Sequence, residues 1–263
     1  MTPSLEPYDD SRRGAGKAVS GLGPALLAAA ALATFSAAAA TQNREALWRV
    51  VQMCRINYAI TGAAFPCLEA NVTDGVQRGY VILRPPVGDP DIILSPTRKI
   101  SGIEELGLAA DGAPNYFDMA WNARSVLARE GQAPIGREDV ALAVNSELAR
   151  TQDQLHIHIG CLPTDVKQTM AAVAPELSPN RWRHLNRPIK GMQFWARTIG
   201  QDSLEGVNPF RLVADGLPDS KAGTATIIVA GVRSASGGDD FVLLAAIGDR
   251  SHAGSDLLKG SCS

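Results

Sequence analysis

The chain has 263 residues, and its 25 Lys and Arg against 27 Asp and Glu give a formal net charge of -2. That length buries a sizeable core unaided, and 45% hydrophobic with 20% charged residues is a globular composition that excludes a largely disordered chain. The near-neutral charge and a 5% aromatic fraction supply neither the positive field nor the stacking platform of a general nucleic-acid binder.

Residues 18–40 carry no charge and follow Arg12, Arg13 and Lys17. A basic flank, an apolar run and the small residues Ala37 to Ala40 make a secretory-signal pattern. The run also matches the roughly 20 residues that a bilayer crossing needs, although Gly21, Gly23 and Pro24 dilute it. Two readings stand: a single-pass anchor in the cell inner membrane with the rest in the periplasm, or a cleaved signal and a soluble periplasmic protein. Both divide the chain into residues 1–40, a cytoplasmic tail and targeting segment, and residues 41–263, one exported domain. The cysteines fit an oxidising compartment. Of their three possible pairings, Cys54–Cys67 and Cys161–Cys262 are expected. The first closes a short loop worth on the order of 3 kcal/mol, and the second ties the C-terminal tail to the centre of the fold.

A helix is predicted over 43–56, with Leu47, Val50, Val51 and Cys54 on one stripe. A loop then runs to about Gly75. Residues 79–83 and 91–94 read as strands of an antiparallel hairpin around the turn material of 84–90. Residues 115–130 form the clearest helical pattern, with Tyr116, Met119, Ala120, Ala123, Val126 and Leu127 on one face and Pro114 at the start. Val140 to Val144 reads as a strand, and 145–153 as a polar loop. A helix is expected over 164–173, a basic stretch from Arg181 to Lys190, and extended chain over 192–199. Residues 224–232 and 241–247 form a second hairpin. The fold class is α+β with antiparallel pairing and flanking helices.

Residues 154–159, Gln-Leu-His-Ile-His-Ile, alternate strictly. In a strand, Gln154, His156 and His158 share one face and Leu155, Ile157 and Ile159 the other. The two histidine backbones then lie about 6.5–7 Å apart, within reach of one small ligand. From the residues alone this pair has three meanings: chance on a half-exposed strand, half of a metal site completed by His184, His252 or a carboxylate, or a nucleophilic imidazole with a helper.

The surrounding sequence narrows these. Asn145, Thr151 and the segment from Gln154 to Gly160 resemble the histidine-triad (HIT-like) superfamily, whose strand carries three histidines separated by apolar residues. The stretch Ile92 to Ile103, with its proline and basic pair, resembles the same superfamily. Gly79 to Leu83, Leu94 to Arg98, Pro114 to Phe117, Ala143 to Ser146, Arg150 to Gln152, His156 to Ile159 with Cys161, and Phe241 to Ala245 resemble the CDP-diacylglycerol pyrophosphatases in order and spacing. One departure stands out: Gln154 occupies the position of the first histidine of the superfamily pattern.

The resemblance implies a hydrolase of phospholipid metabolism that converts CDP-diacylglycerol and water to CMP and phosphatidate, at a membrane surface and without a cofactor or metal. It implies that His156 attacks the phosphorus next to cytidine and that His158 assists. Arg98, Lys99, Thr151, Asn145 and Gln154 are the expected substrate-binding residues, and His184 is the candidate for a third ring. The alternatives are a broader nucleotide hydrolase or cytidylyltransferase, a metal-binding protein using the His-x-His pair, and a non-catalytic nucleotide- or lipid-binding relative.

Overall fold

Period-2 patterning sets the architecture. In the computed structural model, which describes residues 44–85, 91–128, 135–217, 222–234, 236–248, 252–260 and 262, those runs become one antiparallel sheet. Its strands are β1 (Glu69–Asn71), β2 (Tyr80–Leu83), β3 (Ile92–Pro96), β4 (Val140–Val144), β5 (Ile157–Cys161), β6 (Arg183–His184), β7 (Trp195–Thr198), β8 (Ala225–Arg233) and β9 (Asp239–Ile247). They lie in the order β1-β2-β3-β5-β4-β8-β9-β7-β6. The expected hairpins are β2–β3 and β8–β9, and the structure is α+β. The targeting segment expected at residues 1–40 lies outside the described residues. Among the described residues no helix is long and apolar enough to cross a membrane.

The two faces of the sheet are covered differently. Alternate residues Leu94, Leu142, Ile157, Ile159 and Val229 face a single large core, closed by helix α2 (Tyr116–Asn122) and later by α4 (Pro209–Gly216). The opposite face carries two separate apolar clusters. Helix α1 (Ala46–Thr61) packs Leu47, Val51 and Cys54 on Val81, Leu83 and Ile93 at one end. Helix α3 (Thr164–Val173), the 185–194 segment and Leu257 and Leu258 cover Ala141, Ala143, Ile228 and Leu244 at the other. Strand β5 runs between these clusters, and on that face it presents His158 and Gly160, aligned with Ala143 and Ala141 of β4.

Three elements differ from expectation. Helix α1 continues past residue 56 to Thr61, because the inward apolar stripe fades before the helix stops; Gly62, at φ 75°, ends it by donating its N–H to the Tyr58 carbonyl. The loop predicted after it contains the short edge strand β1. The helix predicted over 115–130 keeps its start, capped by the Asn115 side chain, but is α-helical only to Asn122 and continues as a 3-10 turn over Ala123–Leu127. There the Trp121 carbonyl accepts from Arg124 Nη1 at 2.7 Å instead of extending the ladder. Residues 129 and 130 lie outside the described residues.

Both expected disulfides are present, Cys54–Cys67 and Cys161–Cys262, with Cα–Cα distances of 5.6 and 5.3 Å. The second closes a sequence separation of 101 residues, which in the loop-closure limit is worth about 4–5 kcal/mol. It ends a strap, residues 252–262, laid along β5: Gly260 N–H donates to the Cys161 carbonyl at 2.9 Å, and Asn145 Oδ1 accepts from the Gly254 and Ser255 N–H groups at 2.7 and 3.4 Å.

Candidate active site

The two histidines fall where the covering layers part. His156 immediately precedes β5, and His158 lies within it opposite Ile93 and Ala143. Their rings meet edge to face with centroids 5.0 Å apart.

The approach to His156 is built by Gln154. Its side chain is fully buried. Nε2 donates to Ser95 Oγ and to the Pro96 and Arg98 carbonyls at 3.3, 3.1 and 3.1 Å, while Oε1 accepts from the Ile100 N–H at 3.3 Å. Ser95 Oγ in turn donates to the Leu155 carbonyl, and Leu155 N–H to the Ile100 carbonyl, at 2.8 and 2.6 Å. The 154–156 segment, which the sequence pattern placed in the strand but which lies before β5, is thus tied to the chain leaving β3. In the structure the Gln154 side chain is engaged with main chain and with Ser95. Its amide satisfies buried main-chain groups that would otherwise be unpaired, work for which a glutamine with donors and an acceptor is suited.

The same segment fixes the state of His156. Its Nδ1 lies 2.7 Å from the Gln154 carbonyl. A carbonyl only accepts, so Nδ1 carries the proton and Nε2 carries the lone pair of the neutral ring. Burial, then the neighbouring His158, push the His156 pKa down to about 4, and the Arg150 charge adds to the effect. The ring is neutral at pH 7.

His158 is held differently. Its Nδ1 lies 2.6 Å from Oδ2 of the buried Asp91, the residue before β3. Asp91 can lean in because β5 has glycine at position 160: a Cβ there would lie 3.2 Å from the Asp91 Cβ and 2.9 Å from the Leu258 Cβ. His158 Nε2 and Asp91 Oδ1 are both buried with no hydrogen-bond partner. An orphaned ring nitrogen beside a neutral, lone-pair-bearing one is a site for an anionic or phosphoryl group.

The structure places the other expected residues elsewhere. Lys99 pairs with Glu45 Oε2 at 2.6 Å and lies over Trp48, so its charge serves α1. Arg98 is half-buried, and its charge acts on Tyr116, whose phenol burial raises and Arg98 partly restores; Tyr116 belongs to the core on the opposite face. Thr151 is exposed. Asn145 holds the strap through its side-chain oxygen. His184, the candidate third ring, is exposed on β6 against Trp195, five strands from β5. It cannot complete a site with the pair, and among the described residues no three His, Cys, Asp or Glu side chains are grouped to hold a metal.

Two contributors escaped the sequence reading. Asp91 reads only as the first residue of the strand predicted over 91–94, with no sign of a role beside His158. Arg150 belongs to a recognisable segment, Arg150-Thr-Gln152, but gave no sign that it acts on His156. Its guanidinium is held by Glu104 Oε2 at 2.5 Å and Asp153 Oδ1 at 3.2 Å. A recess of about 550 Å³ lies apart from the pair, between α3 and the 183–189 segment.

The buried neutral imidazole has a measurable cost. Between pH ~6.5 and ~4 the unfolded chain takes up a proton at position 156 that the folded chain refuses, so the stability present above pH 6.5 is lost as pH falls, by about 3 kcal/mol at the limit. His156→Gln is expected to flatten the fall in melting temperature between pH 7 and 4. An unchanged slope would mean that the ring is not buried neutral. Asp153, held near pKa 2 by Arg44 and Arg150, acts below that window.

An exported-type sequence, an antiparallel α+β fold and a polarised histidine pair define a candidate phosphorus-directed enzyme, and comparison with known proteins narrows it. The family model for CDP-diacylglycerol pyrophosphatase matches residues 42–263. A protein described as CDP-diacylglycerol pyrophosphatase from Yersinia pestis is 38% identical over 204 residues, covering 77% of this chain and 76% of that protein. The chain belongs to the CDP-diacylglycerol pyrophosphatase family.

Proposed function

We propose that this chain hydrolyses CDP-diacylglycerol to CMP and phosphatidate with His156 as nucleophile, on a HIT-like arrangement of strand and histidines. The observation that carries this reading is the Nδ1–H of His156 on the Gln154 carbonyl. It leaves an Nε2 lone pair on a ring kept neutral at working pH, which is the form that attacks phosphorus. Nε2 forms a bond to the cytidylyl phosphorus, and the bond to the bridging oxygen breaks. Phosphatidate leaves with that electron pair. Water then attacks the cytidylyl-histidine, CMP leaves, and Nε2 regains its lone pair.

His158 donates from Nε2 to a phosphoryl oxygen, and Asp91 is its positioning residue, since the carboxylate on Nδ1 orients the ring. The Arg150 charge disfavours a proton on His156. Residues 1–40 are the export segment and residues 41–263 the catalytic domain. The mass of the protein extracted from membranes, against a 41–263 standard, separates a cleaved signal from a retained anchor.

Purified full-length protein incubated with CDP-diacylglycerol is expected to release CMP and phosphatidate in equal amounts, with EDTA leaving the rate unchanged. Loss of activity with EDTA would instead favour metal chemistry at the pair. Release only when an alcohol or phosphate acceptor is supplied would identify a cytidylyltransferase.

A further inference from the structure

Helix α1 is apolar on two sides. One stripe, Leu47, Val51 and Cys54, is buried against the sheet. The other, Met53, Ile56 and Ile60, follows helical spacing and is exposed. It continues beyond Gly62 into a loop whose Phe65 and Leu68 are also exposed, with Ile60 at 78% and Phe65 at 75%. From Ile56 to Leu68 there is no charged residue; Arg55 and Glu69 bound the run. Scattered exposed apolar side chains need no explanation, but four in one uncharged run of thirteen residues, Ile56, Ile60, Phe65 and Leu68, do.

We propose that this tip, residues 56–68, inserts into the interfacial region of a lipid bilayer. Three observations select a membrane over a protein partner. First, the tip pairs several of its backbone groups within itself. Gly62 N–H donates to Tyr58 O, Asn57 Nδ2 to Phe65 O, Ala63 N–H to Thr61 Oγ1, Thr61 Oγ1 to Asn57 O, and Cys67 N–H to Ala64 O, all within 2.8–3.1 Å. Lipid offers no hydrogen bonds to irregular backbone, so internal pairing is the condition for entering it, whereas a protein partner would take up such groups across the interface.

Second, the Cys54–Cys67 bond staples loop to helix, presenting Ile60 and Phe65 on a fixed support. Third, polarity is graded along the stripe: exposed Arg49 precedes Met53, Ile56 and Ile60, with Arg49 and Ile60 about 16 Å apart along the axis. That places a cation at headgroup level when the apolar end enters first.

The proposal rests on the lipid-directed reading only for the choice of lipid, and its test does not need activity. All four native cysteines are paired. A cysteine placed by Ile60→Cys or Phe65→Cys in the full chain therefore takes an environment-sensitive fluorophore selectively, and Leu106→Cys, at 83% exposed, is the control. On reconstitution into vesicles of phosphatidylethanolamine and phosphatidylglycerol, labels at 60 and 65 are expected to shift to the blue and to be quenched by lipid spin-labelled near the headgroup. The label at 106 is expected to do neither. Unshifted emission at 60 and 65 would overturn the proposal. So would energy transfer between labelled chains in detergent that Phe65→Asp abolishes, because a second copy would then cover the tip. Phe65→Asp is expected to leave hydrolysis in detergent micelles unchanged and to lower the rate on vesicles several-fold; equal rates in both would also overturn it.

Discussion

His156→Ala lowers CMP release from CDP-diacylglycerol by on the order of 10⁴-fold or more, since it removes the attacking atom and leaves only substrate binding and the remaining donors. The wild-type protein, quenched in denaturant during turnover with substrate labelled in the cytidylyl phosphate, retains label on the chain. The label is released by acid and stable to alkali, as a phosphorus–nitrogen bond on imidazole requires. His156→Ala retains none. Full activity in His156→Ala, or label persisting in it, would remove the nucleophile from position 156. The substitution also takes away a buried neutral ring bonded to the Gln154 carbonyl, so the melting temperature is measured alongside; a folded, inactive variant is the expected result.

Asp91→Asn lowers kcat by on the order of 10²-fold with little change in KM, the loss typical of one oriented donor in a transition state. The carboxylate accepts the His158 Nδ1 proton at 2.6 Å. An asparagine of the same shape can present either its oxygen or its NH₂ there. Either choice replaces the charge-assisted bond that orients the ring with a weaker one. A purely structural role predicts a loss of stability that accounts for the loss of rate. A positioning role predicts a folded protein whose first step slows while the affinity for substrate stays. Wild-type kcat in Asp91→Asn would overturn the assignment.

Local pattern carried much of this structure. The β2–β3 and β8–β9 hairpins were legible because β-branched runs flank turn residues, and the placement of His158 on the face opposite Ile157 and Ile159 follows from period-2 alternation. What the pattern could not show was set by distant contacts. Asp91 and His158 are 67 residues apart, and only the β3–β5 register, with the space beside Gly160, brings them together. Gln154 resembled a weakened histidine position; its burial among the carbonyls of residues 96 and 98 shows a polar clamp that a titrating ring is not required to fill. Lys99 and Arg98 were expected to face phosphate because they occupy the basic positions of the resembled family; their partners in the structure, Glu45 at the start of α1 and the buried phenol of Tyr116, come from distant parts of the chain. No helical periodicity announced that the sheet would be covered by two separate apolar clusters on one side, with β5 between them.

The bond between Cys161 and Cys262 also orders events in time. The strand that carries the nucleophile is synthesised 101 residues before the cysteine that will secure its neighbour. Leu258, which fills the space beside Gly160, is therefore locked in place only by a covalent step late in maturation. A reducing compartment withholds that step.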